Sequence, residues 1–201
     1  MKSHVLPLAV SLLASVSAYA GSQVEQISSK DKIIAPTYCF NEHEWQFDIY
    51  GAYSDGNGHD HAGPLQDHGW GGGVGVNYFI TRMIGIGVDG TALYGRENPQ
   101  NDGNGHLESG KHTTTYGFTG SVIVRFPIDS ACLAPYVYAG GGFHTDGDEW
   151  ASAHAGVGIE YRVVPNKIGL FLDGRYTYYG DRYGNGDQGN ALAKAGVRIV
   201  F

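Results

Sequence analysis

The chain contains few cysteines, fewer basic than acidic residues, and no long apolar run after its first 20 positions. Its two cysteines, Cys39 and Cys132, allow one intramolecular disulfide at most. Its 13 Lys and Arg residues stand against 20 Asp and Glu residues and form no basic cluster, which argues against nucleic acid as a partner. No segment after residue 20 approaches the length of apolar sequence that a transmembrane helix needs, which excludes such a helix there.

The first 20 residues have the composition of a signal peptide. Lys2 gives a basic start, Val5–Ala18 is almost uninterrupted in its apolar character, and Ala18-Tyr19-Ala20 has the small-x-small form that signal peptidase accepts. The apolar run is shorter than the roughly 20 residues of a transmembrane helix, and an uncleaved anchor is the alternative. We therefore predict export, cleavage before Gly21, and a mature net charge of -8, because the charge of -7 loses Lys2.

Glycine and tyrosine are abundant, with 32 and 14 residues. Aromatic side chains fit the pleated surface of a sheet, and glycine relieves crowding where strands curl. Residues 21–44 are polar without a sustained period and are predicted to form a periplasmic tether, whereas from Trp45 onward apolar and polar residues alternate with period two. The alternation predicts one domain over 45–201 with eight strands, at about 45–54, 69–80, 84–95, 112–126, 134–143, 151–163, 168–179 and 190–201.

The connections between the predicted strands alternate in length. Those after the second, fourth and sixth strands are short, while the others are polar and include the long segments 55–68 and 96–111. Short turns at one end and longer polar loops at the other are typical of transmembrane β-barrels. An even number of strands brings the start and the end of the barrel sequence to the short-turn side, which would face the periplasm.

One face of the predicted strands is apolar, and the other carries glycines and charges. In the third strand, Ile84, Ile86 and Val88 alternate with Gly85, Gly87 and Asp89. Eight strands leave an interior only just wide enough for side chains, so we expect the glycine-rich face inside and the apolar face toward lipid. The predicted fold is all-β, an eight-stranded antiparallel up-and-down transmembrane β-barrel; a soluble lipocalin-like binder with the apolar face inside is the alternative.

Four short motifs occur within the barrel sequence. They are Glu44-Trp45-Gln46-Phe47-Asp48, Gly75-Val76-Asn77-Tyr78-Phe79, Pro135-Tyr136-Val137-Tyr138-Ala139-Gly140 and the terminal Phe201. With these motifs the chain resembles the outer-membrane β-barrel superfamily that includes the OmpA transmembrane domain and OmpX-like proteins. The resemblance implies a monomer in the outer membrane of a Gram-negative-type cell, with Phe201 as the signal read by the barrel-assembly machinery. It implies no specific activity.

Charged residues recur on the glycine-rich face. The acids there are Asp48, Asp89, Glu160 and Asp173, and the bases are Arg125, Arg162, Arg175, Lys194 and Arg198. Charges that cannot reach bulk water must be paired, because an isolated buried charge is very costly. The near balance of signs predicts a closed lumen filled by salt bridges, and a small passive channel is the alternative.

The predicted outer loops are rich in histidine and in acids. Asp55-Gly56-Asn57-Gly58-His59 recurs as Asp102-Gly103-Asn104-Gly105-His106, and with His61 these loops offer metal-ligand chemistry, although Gly, Asn and Asp are also ordinary turn residues. Segments 55–68, 96–111, 144–150 and 180–189 together hold eleven acids and three bases. We expect no resident metal and no cofactor, and we expect the acidic loops to contact lipopolysaccharide through divalent cations or to contact a basic partner.

Two further hypotheses concern individual side chains. Ser152 and His154 lie on the inward face of the sixth predicted strand, and a lipid-modifying enzyme would need such a nucleophile and base together with an orienting acid. Their order and spacing match no known lipid A enzyme well, and we expect no enzymatic activity. Cys39 and Cys132 both fall on the short-turn side, so a disulfide between them would draw the tether across the mouth of the barrel.

Overall fold

The computed structural model of the chain describes residues 38–55, 65–97, 112–145, 149–181 and 187–201. The predicted signal peptide and most of the predicted tether lie outside these ranges. The strands are β1 (Glu44–Asp55), β2 (Leu65–Phe79), β3 (Ile84–Glu97), β4 (His112–Arg125), β5 (Leu133–Thr145), β6 (Glu149–Val164), β7 (Ile168–Asp181) and β8 (Asp187–Val200). A single turn of 3-10 helix, Asp129–Ala131, lies between β4 and β5.

Among the residues described, no helix is long and apolar enough to cross a membrane.

The eight strands form one closed barrel in sequence order, and every neighbouring pair is antiparallel. The barrel closes between β1 and β8, where Gln46 pairs with Val200. The terminal residue extends this seam, because the Trp45 and Phe201 backbones exchange two hydrogen bonds of 3.2 and 2.9 Å. The predicted up-and-down topology is confirmed. The starts of β3, β4 and β7 coincide with the predicted ones, and the other strand bounds differ from them by one to four residues.

The two faces of the strands have opposite chemistry, as predicted. Val88, Val122 and Leu172 are 63%, 56% and 57% exposed on the outer surface, whereas Arg125 is 0% exposed in the lumen. An apolar outer surface requires an apolar solvent, and the lumen charges are removed from bulk water. The soluble barrel with an apolar interior is therefore wrong.

The fifth strand could not be assigned a phase from its alternation, and the structure assigns it. Tyr136 and Tyr138 point into the lumen and are buried. Each lies directly opposite a glycine of β6, Gly158 and Gly156 respectively. A β-carbon at either glycine would overlap the facing tyrosine ring, so these two glycines provide the space that the rings occupy.

Exposed aromatic side chains lie near both ends of the outer surface. Tyr53, Trp70 and Tyr94 lie toward the long-loop end, and Trp45 and Tyr161 lie toward the short-turn end. Amphipathic aromatic rings concentrate at the two interfaces of a membrane protein, so the apolar band between them marks the segment that contacts acyl chains.

Candidate functional site

The lumen at the short-turn end, which we call the mouth, is filled by charged side chains. Glu44, the first residue of β1, accepts a hydrogen bond of 2.8 Å from Arg125 Nη1 on β4 and forms an ion pair with Arg162 on β6. Gln46 Nε2 donates to the same carboxylate at 2.5 Å. All four side chains are almost completely buried. One carboxylate thus joins three strands across the mouth.

The ion pairs continue from the mouth toward the middle of the barrel. Arg162 Nε lies 2.5 Å from Glu160 Oε1, and Arg198 Nη1 donates to Glu160 Oε2 at 2.6 Å. Arg198 Nε and Nη2 each donate a hydrogen bond of 2.7 Å to the Asp48 carboxylate. Asn77 Nδ2 donates to the same carboxylate at 2.8 Å. The six alternating charges from Arg125 to Asp48 are called the mouth cluster; its members are Arg125, Glu44, Arg162, Glu160, Arg198 and Asp48. Paired in this way, none of the six is an isolated buried charge.

At mid-height the carboxylate of Asp173 is held by hydroxyl groups. Tyr136 and Tyr138 donate to it at 3.0 and 2.9 Å. Lys194 Nζ lies 3.7 Å from Asp173 and 4.0 Å from Asp89, so one ammonium group stands between two carboxylates. The predicted bases and acids of β3, β7 and β8 meet here through tyrosines that the charge pattern did not include.

Asp89 is the second carboxylate at this level. Tyr50 and Thr119 hydroxyls donate to it at 3.0 and 2.8 Å, and Arg175 Nη1 lies 3.3 Å away. Hydrogen bonds to an ionised carboxylate are stronger than neutral ones, so these donors stabilise the charge away from bulk water.

The lumen toward the long loops contains a group of neutral side chains that is called the loop half, and Arg175 borders it from mid-height. The members of the loop half are Ser54, Leu93, Thr115, Tyr179, Asn190 and Leu192. Asn190 connects two of them, since its Nδ2 donates to Ser54 at 2.7 Å and its Oδ1 accepts from Tyr179 at 3.1 Å. Leu93 and Leu192 pack with Tyr50 and Phe171 in an apolar cluster.

Two small cavities lie inside the described part of the barrel. One of about 40 Å³ lies at mid-height and is lined by Asp48, Asp89, Asp173 and Lys194 among others. The second, of about 10 Å³, lies in the loop half. A water molecule needs roughly 10–15 Å³ of such volume, so the mid-height cavity has room for a few water molecules and the loop-half cavity for one at most.

Residues Tyr38–His43, which we call the strap, lie across the mouth outside the strands. Cys39 forms the predicted disulfide with Cys132, and the two Cα atoms are 5.3 Å apart. Phe40, which is fully buried, lies under the guanidinium groups of Arg125 and Arg162, whose Cζ atoms are 5.1 and 4.9 Å from its ring centroid. The predicted tether is therefore ordered over its last residues, and β1 begins one residue earlier than predicted, at Glu44.

Ser152 and His154, which share the inward face of β6 as predicted, are not hydrogen-bonded to each other. His154 Nε2 lies 2.8 Å from Ser121 Oγ on β4, while Ser152 Oγ contacts the Gly142 carbonyl at 3.5 Å. His154 is buried in the lumen beside the Tyr138 ring. A serine and an imidazole are thus in contact, but the serine is Ser121 and not Ser152. The contact lies inside the barrel rather than at its lipid surface.

The structure brings all nine predicted lumen charges into connected clusters and adds residues that the charge pattern missed. Glu44 is the most important of these, because it makes five acids against five bases. The sequence feature that identifies it as a lumen residue is its spacing. It lies two residues before Gln46 and four before Asp48, and therefore on the same face of the first strand. The predicted tether, residues 21–44, includes it, and the structure corrects this.

The candidate loop metal site falls mostly outside the described residues. His59, His61, Asp102 and His106 lie there, and Asp55 ends β1. Among the residues that are described, no group of three or more His, Cys, Asp or Glu side chains is arranged to hold a metal ion.

Comparisons with known proteins bear on the fold. No protein-family model matches the chain, and no curated protein matches it either. Among solved structures, Neisserial surface protein A is 20% identical with a TM-score of 0.55, and the match covers 79% of this chain and 96% of that one. The outer membrane protein OprG from Pseudomonas aeruginosa is 9% identical with a TM-score of 0.54, over 81% and 97% of the two chains.

The N-terminal β-barrel domain of Pseudomonas aeruginosa OprF is also similar. It is 16% identical with a TM-score of 0.51, over 80% of this chain and 99% of that domain. At such identities the likeness concerns the fold, and it agrees with the closed antiparallel barrel and its apolar outer surface. The chain therefore has the fold of these outer-membrane β-barrels.

Proposed function

We propose that this protein is a closed outer-membrane barrel with a structural or surface-interaction role, which presents acidic loops and does not conduct ions in its disulfide-bonded state. The observation that carries the proposal is the mouth cluster, a continuous set of buried ion pairs that joins β1, β4, β6 and β8 across the lumen. Opening a path through it would separate buried charges from their partners, which is costly.

The packing above the mouth cluster supports the same role. The mid-height cavity of about 40 Å³ and the loop-half cavity of about 10 Å³ hold only a few water molecules. Ion conduction requires a continuous column of water or of polar ligands along the lumen.

The acidic loops supply the interaction surface in this proposal. Segments 55–68, 96–111, 144–150 and 180–189 hold eleven acids and three bases, and much of their length lies outside the described residues. Such a surface attracts divalent cations or a basic partner, and divalent cations would connect it to the phosphates of lipopolysaccharide. Barrel insertion would be directed by Phe201 through the assembly machinery, after cleavage of the signal peptide at Gly21.

Two features support a non-enzymatic role. Ser121 and His154 contact each other inside the lumen, where His154 is 5% exposed, and no acid is bonded to His154 Nδ1 in the described part of the chain. A serine nucleophile needs an oriented base and access to its substrate.

Planar-bilayer recording of the oxidised full-length protein tests the proposal. We expect no stable unitary conductance in neutral KCl, because the mouth cluster and the strap close the lumen. Cell fractionation with heat-modifiable gel migration verifies that the protein is a folded outer-membrane barrel. A stable large conductance of the oxidised protein would contradict the closed lumen, and recovery of folded protein in the soluble fraction would contradict the location.

A further inference from the structure

Two buried polar residues, Arg175 on β7 and Thr115 on β4, line the cavity of about 10 Å³ in the loop half. Neither Arg175 Nε nor Thr115 Oγ1 has a hydrogen-bond partner among the described residues. The two residues are only 4% and 3% exposed. Buried polar atoms without a partner are rare and costly, so a ligand that accepts hydrogen bonds from both atoms would stabilise them.

Arg175 can take a second partner because its ion pair with Asp89 is long and uses one nitrogen. Arg175 Nη1 lies 3.3 Å from Asp89 Oδ1, whereas Arg198 Nη2 lies 2.7 Å from Asp48. The same Nη1 donates a hydrogen bond to the Thr119 hydroxyl. A guanidinium group carries five N–H donors in a rigid fork, so Nε is left for another acceptor.

The charge on the cavity wall is positive. Among the described residues that line the cavity, Arg175 is the only Lys, Arg, Asp or Glu. Its partner Asp89 belongs to the mid-height cavity instead. Away from bulk water a single guanidinium group acts strongly on a ligand beside it, so the wall attracts an anion and repels a cation.

The other walls favour an anion over a water molecule. Leu93 and Leu192, the ladder partners of the two polar residues, are apolar. Thr91 is already bonded to the Asp89 carboxylate and Asn190 to neighbouring side chains, while the imidazole N–H of His144 can act as a further donor. A water molecule needs acceptors for its own hydrogens, whereas an anion only accepts.

The size of the cavity limits the class of anion. A volume of about 10 Å³ admits a ligand of about the size of one water molecule. Phosphate, sulfate and carboxylate groups consist of several heavy atoms and are too large. A halide ion is a single atom only a little larger than a water molecule, and chloride is the common halide of biological fluids.

We propose that the loop half contains a binding site for one chloride ion, with Arg175 Nε and the Thr115 hydroxyl as its donors. The site goes beyond the proposed role of the barrel, because it assigns a ligand to the lumen. Strands β4 and β7 bring the donors together only in the closed barrel, so the unfolded chain lacks the site. Chloride therefore binds the folded state and stabilises it.

The first test is urea unfolding in detergent micelles, in potassium chloride or in potassium gluconate of equal ionic strength. We expect a higher urea midpoint in chloride. Above the dissociation constant, each tenfold increase in chloride should lower the unfolding constant about tenfold, as for a single site. Thr115→Val, which keeps the shape and removes the hydroxyl, should lose most of this dependence. Thr114→Val, on the opposite face of the strand, is the matched control and should keep it.

The second test is X-ray diffraction from crystals of the wild-type protein grown in bromide. We expect an anomalous peak within hydrogen-bond distance of Arg175 Nε and Thr115 Oγ1, and this measurement decides even where Thr115→Val fails to fold. Equal urea midpoints in the two salts, or bromide crystals without this peak, would mean that the cavity takes water only and would overturn the proposal. A chloride dependence retained in folded Thr115→Val would locate the anion elsewhere and overturn it as well.

Discussion

The mouth cluster and the loop half occupy the same lumen, but one is ionic and the other is neutral. In the mouth cluster, Arg198 bonds two carboxylates at 2.6 to 2.7 Å, and each ion has a partner of opposite charge. In the loop half, Asn190 connects Ser54 and Tyr179 through neutral hydrogen bonds. At the mouth, which the strap covers, each buried charge needs a partner of opposite charge. Toward the loops the buried groups are neutral, and single hydroxyl and amide groups satisfy their hydrogen bonds.

The difference has a consequence for stability. Removing one member of a buried ion pair leaves an uncompensated charge, whereas removing a neutral hydrogen-bonding group leaves a polar atom that water can satisfy if it has access. Equivalent truncations in the two regions should therefore differ severalfold in the free energy of unfolding that they cost. Three substitutions in the lumen and one on the outer surface test this order.

Arg198→Met should have the largest effect. It leaves Asp48 and Glu160 buried without their common guanidinium group, and losing one partner of a buried ion pair costs about 3–5 kcal/mol. Urea unfolding in detergent micelles, followed by heat-modifiable migration, measures the loss. A decrease in the free energy of unfolding below about 1 kcal/mol would show that the mouth cluster is hydrated rather than dry.

Val157→Arg should cause the second largest loss in the free energy of unfolding. It tests whether a new charge on the outer surface destabilises the barrel as much as a charge change in the lumen. Val157 lies midway along β6 on the outer surface, 63% exposed. An arginine at the bilayer midplane on the lipid face costs about 2–4 kcal/mol. Unfolding in phospholipid vesicles is the measurement, and Val157→Leu is the control, for which we expect no change. If Val157→Arg were neutral in vesicles, the lipid-facing assignment would be wrong.

The sequence predicts that losing a charge in the lumen and adding a charge on the outer surface are both destabilising. It does so because apolar residues alternate with glycines and charges in the same way in most strands. A single phase error would move every side chain of a strand to the other face. Arg125 and Arg198 each stand between two apolar residues, and Asp89 follows the outward Val88, so the phase of these strands is fixed. The fifth strand lacked such a constraint, since Tyr136-Val137-Tyr138 is apolar on both faces. Its phase is set across the sheet, by the empty positions at Gly156 and Gly158.

The strap shows the other limit of sequence reasoning. The cysteine positions predicted a bridge across the mouth, but the position of Phe40 between Arg125 and Arg162 depends on residues more than 80 positions apart. No local period encodes such a contact. Glu44 was missed for a related reason. The first residue of a strand has alternating neighbours on one side only, so the pattern does not show whether that residue belongs to the strand.

Tyr138→Phe should have an intermediate effect at mid-height, between the two regions. It removes one hydroxyl donor of 2.9 Å to Asp173 and leaves Tyr136 and Lys194 in place. A hydrogen bond to a charged group contributes about 1.5–3 kcal/mol. Urea unfolding should show this loss, and Tyr161→Phe on the outer surface should change the free energy of unfolding by less than about 0.5 kcal/mol. Equal effects of the two variants would exclude a structural role for the lumen hydroxyl.

Asn190→Ala in the loop half should have the smallest effect of the four. It removes the bonds to Ser54 and from Tyr179, but the space that it vacates adjoins the existing cavity that Tyr179 and Asn190 line. A water molecule in the enlarged cavity can replace the amide, so we expect a loss of about 1 kcal/mol, that of ordinary neutral hydrogen bonds. The same urea series as for Arg198→Met gives the comparison directly. A loss as large as that of Arg198→Met would mean that the loop half is as dry as the mouth, and the contrast between the two regions would then lie in charge alone and not in access to water.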